Sequence, residues 1–149
     1  MATEFRVGCT ACAILQGRLK APGGTIYRDE HWVVDHILSP AAIRGLLIMK
    51  LARHREHLTE LTEPELIAMG WLMPRVLRAM TVALHPARIY VCSFGETVPH
   101  VFWYLIPRYP NMPPVAPDIV REMFIGRRWA CSESEAAAAA AAVRDQLGG

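Results

Sequence analysis

Cys9-Thr10-Ala11-Cys12 contains the first side chains in this chain whose type and spacing could do chemistry. A Cys-x-x-Cys pair lets two thiolates reach one tetrahedral ion. By itself the pair also fits a redox site, although that reading wants a strand-to-helix context which the glycine-rich sequel does not supply. Two unrelated buried thiols are the plain alternative, and a haem attachment would need His where Ala13 stands. His36, His54, His57 and His100 add imidazoles elsewhere. The last opens the run His100-Val101-Phe102-Trp103-Tyr104-Leu105-Ile106-Pro107-Arg108. Successive strand residues point to opposite faces, so in a strand starting at His100 positions 100, 102 and 104 share one face.

The elements that must position these groups are legible in outline. Cys9 to Gln16 reads as a short turn or helix closed by Gly17 and the Pro22-Gly23-Gly24 turn. Thr25 to Arg28 and Trp32 to His36 read as strands around a turn at Asp29-Glu30. Gly45 to Leu51 reads as a central strand. Thr62-x-x-Glu65 is a capping box, Pro64 suits a first helical turn, and apolar residues from Leu66 to Leu84 recur at helical spacing. Pro74 inside that helix predicts a kink. Arg88 to Phe94 and His100 to Ile106 read as two further strands. After Pro107 the prolines predict an irregular segment, followed by a last helix opened by Ser132-x-x-Glu135 and stopped by Gly148. Five strands with one long helix between the third and fourth make an α+β pattern with an antiparallel sheet.

Composition narrows the function classes. A length of 149 residues predicts a single domain over 1–149, with its core at 9–108 and a proline-rich segment plus C-terminal helix at 109–149. Sixteen basic against 14 acidic residues leave a net charge of +2, which argues against nucleic acid or an anionic lipid surface as partner. The apolar run Gly45 to Met49 is cut by Lys50, and no uninterrupted run suits a membrane span. The N-terminus has no signal-peptide segment, so a cytoplasmic, reducing location is expected, where four cysteines favour metal ligands or free thiols over disulfides.

Three stretches resemble the histidine-triad (HIT) superfamily: Gly24-Thr25-Ile26-Tyr27-Arg28-Asp29-Glu30-His31, the neighbourhood of His54 with Leu58 to Thr62, and Val98-Pro99-His100 through Pro107-Arg108. The resemblance spans Cys9 to Arg108. It implies a homodimer paired through the long helix and adjoining strand, and a pocket for a nucleoside monophosphate. For the zinc-containing members it also implies a metal set, here Cys9, Cys12, His54 and His100. Such a closed set would make the zinc structural. His57 competes with His54 by proximity in sequence.

The resemblance also shows what has changed. The family's nucleophile is the middle histidine of three, and Phe102 occupies its position; Tyr104 replaces the third. A phenyl ring has neither lone pair nor exchangeable proton, so covalent catalysis there is excluded. Glu96 and Thr97 stand where the family places phosphate-cradling Gln and Ser, and a carboxylate repels phosphate. The ribose-binding aspartate falls near His36, with Asp35 expected on the opposite side. The expected function is therefore a repurposed small-molecule enzyme or binding protein, with a non-catalytic nucleotide-binding protein and a water-using hydrolase as alternatives. Tyr104, Glu96 and His36 are the candidate catalytic groups; Phe102, Thr97 and Ser93 are the candidate pocket lining. Glu96 and His36 also fit a solvated loop residue and a strand-end histidine. Cys92 and Cys131 sit in no recognisable nucleophile motif.

Overall fold

The computed structural model describes residues 4–148. The sequence in strand order along the sheet is β1 (Thr25–Arg28), β2 (Trp32–His36), β3 (Leu47–Leu51), β5 (Phe102–Arg108) and β4 (Arg88–Cys92), all antiparallel. The α+β expectation holds. β2, β3 and β5 are interior strands and carry the most apolar sequence, because a strand buried on both faces cannot alternate polar residues outward.

One face of the sheet is covered by α2 (Glu63–Leu84) and α4 (Glu133–Gly148). Leu72, Val76 and Met80 of α2 pack there with Trp32, Val34, Leu47 and Met49, and α4 adds Ala139, Ala140 and Val143. The alanine run is thus the small-residue face that lets α4 approach. The α2 cap is as expected: the Thr62 hydroxyl accepts from the Glu65 N–H (3.5 Å) and the Glu65 carboxylate accepts from the Thr62 N–H (2.8 Å). Arg53 grips the same carboxylate with two N–H groups at 2.5 and 2.9 Å. The Trp32 indole N–H donates to Glu65 O at 2.9 Å, tying β2 to the first turn of α2. α2 runs on through Pro74. It is the one helix among the described residues long and apolar enough by composition to cross a membrane, a property that a search for uninterrupted apolar runs does not reveal.

The opposite face is covered by loop residues Ala42, Ile43 and Leu46 and by Met112, Ile119 and Met123. The segment after Pro107 is less irregular than its prolines suggest. Ala116–Arg121 forms helix α3 and continues as a π-helical turn over Glu122–Gly126. Pro117 lies in the first turn of α3, where a missing N–H has no intrahelical partner to lose. Two strands are shorter than expected, since β3 begins at Leu47 and β4 ends at Cys92. β5 begins only at Phe102. His100 precedes it in a bend, so it reaches its partners from outside the ladder.

Candidate metal centre and the sheet face beside it

α1 (Thr10–Leu15) places the two cysteines. Cys9 is its N-cap and Cys12 lies one turn on, so both thiols leave one end of the helix. β3 delivers His54 three residues past its end, and the bend before β5 delivers His100. The ligand atoms of Cys9, Cys12, His54 and His100 all lie within 4.8 Å of one another. Cys9 Sγ is 3.6 Å from His100 Nδ1, and Cys12 Sγ is 3.4 Å from His54 Nδ1 and 3.7 Å from His100 Nδ1. A tetrahedral zinc with bonds of about 2.3 Å to sulfur and about 2.0 Å to nitrogen separates such atoms by roughly 3.6 Å. The donor set fits the ion in type and in span.

The surroundings favour the ligating, neutral form of both histidines. Burial, above all, pushes the His100 imidazole down to about 4, which keeps it neutral, and burial lowers His54 as well. His100 Nε2 donates to Leu51 O at 2.8 Å, leaving Nδ1 as the free lone pair. The Cys12 thiol is raised by burial, while the Arg6 N–H, at 3.3 Å from its sulfur, opposes that shift. His57 is exposed, and its N–H donates to Glu60. Geometry therefore selects His54 over His57.

Beside this cluster the sheet face of β5 carries Phe102 and Tyr104, 5% and 6% exposed. Their rings meet edge to face with centroids 4.9 Å apart. Phe94, from the loop after β4, lies 5.7 Å from the Tyr104 ring, and Phe124, from the π turn, lies 6.0 Å from it. Four aromatic rings thus occupy this face. Burial raises the Tyr104 hydroxyl above its ordinary value, the wrong direction for a base near neutral pH. Ser93 is half-buried, and Glu96 and Thr97 are exposed; none of the three makes a side-chain hydrogen bond among the described residues. Cys92 sits opposite Tyr104 in the β4–β5 register, its thiol raised by burial. Cys131 bridges to Ala41 through its backbone.

His36 and Asp35 are placed the other way round from expectation. In register His36 opposes Leu47 and shares the α2 side with Trp32 and Val34. Its Nδ1 donates to Ile37 O at 2.9 Å and its Nε2 accepts from the Gly45 N–H at 2.9 Å. Both nitrogens are occupied, and burial lowers its affinity for a proton. His36 braces the turn before β3 and has no free nitrogen to offer Glu96. Asp35 instead faces the Phe102 side, where Lys50 of β3 donates to it in a buried ion pair. Lys50 lies opposite Val33 on one side and Phe102 on the other, and Asp35 opposes Ile48, so Lys50 reaches Asp35 diagonally and Asp35, Lys50 and Phe102 share one face of the sheet. Asp35 also lines a cavity of about 480 Å³ walled by α1, the loop after it and β1. A charge ending an otherwise apolar strand was the sequence signal for this pair.

No family model matches the chain, and no curated protein does either. Solved structures do. A HIT-like protein from Bartonella henselae, described as involved in cell-cycle regulation, superposes with a TM-score of 0.72 at 13% identity, covering 97% of this chain and 99% of its own. A hypothetical histidine triad nucleotide-binding protein from Sulfolobus tokodaii gives 0.73 at 16%, covering 94% and 92%. A zinc-bound histidine triad family protein from Mycobacterium smegmatis gives 0.69 at 21%, covering 95% and 94%. The fold is the HIT fold. Coverage above nine-tenths extends the HIT likeness past Arg108, through the segment in which the sequence resemblance had already ended.

Proposed function

We propose that this chain is a zinc-clamped HIT-fold protein that binds an apolar small molecule beside Phe102 and Tyr104 and performs no covalent nucleotidyl transfer. The observation that carries this reading is Phe102, a buried ring without lone pair or proton at the position where the resemblance puts the nucleophile. The half-exposed Phe94 and Phe124 flanking Tyr104 support an apolar occupant over a phosphate. Exposed Glu96 at the loop edge adds repulsion toward a phosphate placed at that end of the face. Chemistry at this face, where it occurs, is non-covalent and uses Tyr104 or Glu96, with His36 outside it. Cys9, Cys12, His54 and His100 hold the zinc, which supplies rigidity: it ties the N-terminal helix to the end of β3 and the start of β5. Thiolate ligation of this kind suits a reducing compartment such as the cytoplasm.

A second copy of the chain is the proposed partner. Ile67 and Trp71 on α2 are 66% and 57% exposed, and β4, which follows α2 in sequence, leaves one edge unpaired. Apolar exposure beside a free edge suits self-association.

The test is calorimetric titration of purified protein with adenosine monophosphate and fluorescence titration with the uncharged apolar dye N-phenyl-1-naphthylamine, alongside turnover of a p-nitrophenyl ester of adenosine monophosphate. Saturable dye binding that Phe124→Asp weakens, with no ester turnover, is expected. Micromolar nucleotide binding accompanied by turnover overturns the reading.

A further inference from the structure

The buried ion pair between Asp35 and Lys50 is a poor device for stability. Two charges are taken out of water, and replacing such a pair by apolar residues is often neutral or stabilising. Nothing in the sheet requires it: flanking positions Val33 and Ile48 on the same strands are aliphatic. Yet Asp35, 1% exposed, is part of the wall of the cavity of about 480 Å³ between α1 and β1. Lys50 occupies one oxygen of its carboxylate; the other takes no hydrogen bond among the described residues. Ile14, Leu15 and Leu19 give the cavity an apolar wall, and Lys20 and Arg28 bring two cations to it.

Resting on the reading of this sheet face as a small-molecule site, we propose that the cavity takes an amphipathic monoanion and that Asp35, held in place by Lys50, selects for a hydrogen-bond donor on it. The apolar body lies against Ile14, Leu15 and Leu19, and the acidic group is answered by Lys20 and Arg28. A ligand hydroxyl or N–H donates to the Asp35 oxygen that Lys50 leaves free. Lys50 is a positioning residue, since it neutralises the carboxylate and fixes its orientation without facing the cavity itself. A site built to accept a hydrogen bond rejects an analogue that lacks the donor, because the buried acceptor is then left unpaired.

The probe is 3-phenyllactate, which joins a ring, a hydroxyl and a carboxylate, with 3-phenylpropionate as the analogue without the hydroxyl. Calorimetry on the full chain should show phenyllactate bound about tenfold more tightly than phenylpropionate. Asp35→Leu combined with Lys50→Met, a pair of apolar replacements that keeps the volume filled, should erase that preference while retaining phenylpropionate binding. Arg28→Gln should weaken both acids and leave their ratio unchanged. Equal affinities in the wild type, a preference that survives the double replacement, or no binding of either acid would overturn the inference. If the preference fails while the dye still binds and the nucleotide ester is not turned over, only the role of Asp35 falls. If the ester is turned over, the broader reading falls instead.

Discussion

Lys50 donates to Asp35 from the neighbouring strand, and the two side chains are 1% and 2% exposed. Burial presses the lysine toward its neutral form and the Asp35 charge opposes it. Removing one partner strands the other charge in the interior. Asp35→Ala or Lys50→Ala should therefore each lose about 3–5 kcal/mol of stability, whereas Asp35→Leu with Lys50→Met should stay near the wild type. Urea unfolding of the three variants measures this, and equal losses in single and double variants would contradict it.

Metal content follows from the Cys9, Cys12, His54 and His100 cluster. Purified protein should carry about one zinc per chain by elemental analysis, and Cys9→Ser should lose both the metal and thermal stability. His57→Ala should keep the metal. Loss of zinc in the His57 variant with retention in His54→Ala would reverse the ligand assignment.

His36 distinguishes a structural role from a catalytic one. His36→Ala leaves the Gly45 N–H without its acceptor and should reduce stability by about 1–3 kcal/mol. Gly45 has φ +81°, and a Cβ there would lie 2.5 Å from Leu84 Cδ1. Gly45→Ala should thus destabilise as well, through the same turn. Unchanged melting temperatures would show that the turn does not depend on this brace.

The first turn of α2 sets an acid limit. Arg53, the larger cause, together with the Thr62 N–H holds the Glu65 carboxyl at about 2, below its ordinary 4.5. The folded state binds this proton less readily than the unfolded chain does. Glu65 therefore stabilises fully above about 4.5, and its contribution is lost as pH falls toward about 2. Glu65→Gln should flatten the stability profile across that window, and an unaltered acid limb would show that the pair is inert. Thr62→Ala should lose about 1 kcal/mol at neutral pH through the cap alone.

The aromatic cluster gives a graded expectation. Phe102→Ala opens a void in the interior and should lose about 3–5 kcal/mol, while Phe124→Ala, at a half-exposed ring, should lose far less. Comparable losses would mean that Phe124 is as deeply committed as Phe102.

The succession of five strands along the chain, the capping box at Thr62 and the Cys9–Cys12 pair were legible because periodicity, a cap spacing and a thiol spacing are local, whereas His54 and His100 joined that pair only through the resemblance. The extent of β5 was not, since whether His100 joins the ladder depends on β3, 50 residues earlier, and on the Leu51 carbonyl that its ring nitrogen meets. α3 was hidden because its Pro117 reads as a breaker until its place in the first turn is known.

By itself the sequence determined that position 102 carries a phenyl ring, which has neither lone pair nor exchangeable proton to offer. Only the tertiary structure decided which face each polar residue serves. The alternation of β2 turns His36 inward to the α2 side and Asp35 toward the cavity, and one residue of register separates those two outcomes. Register is fixed by the whole sheet packing its apolar positions against α2, a long-range constraint that no local pattern around Asp35 and His36 expresses.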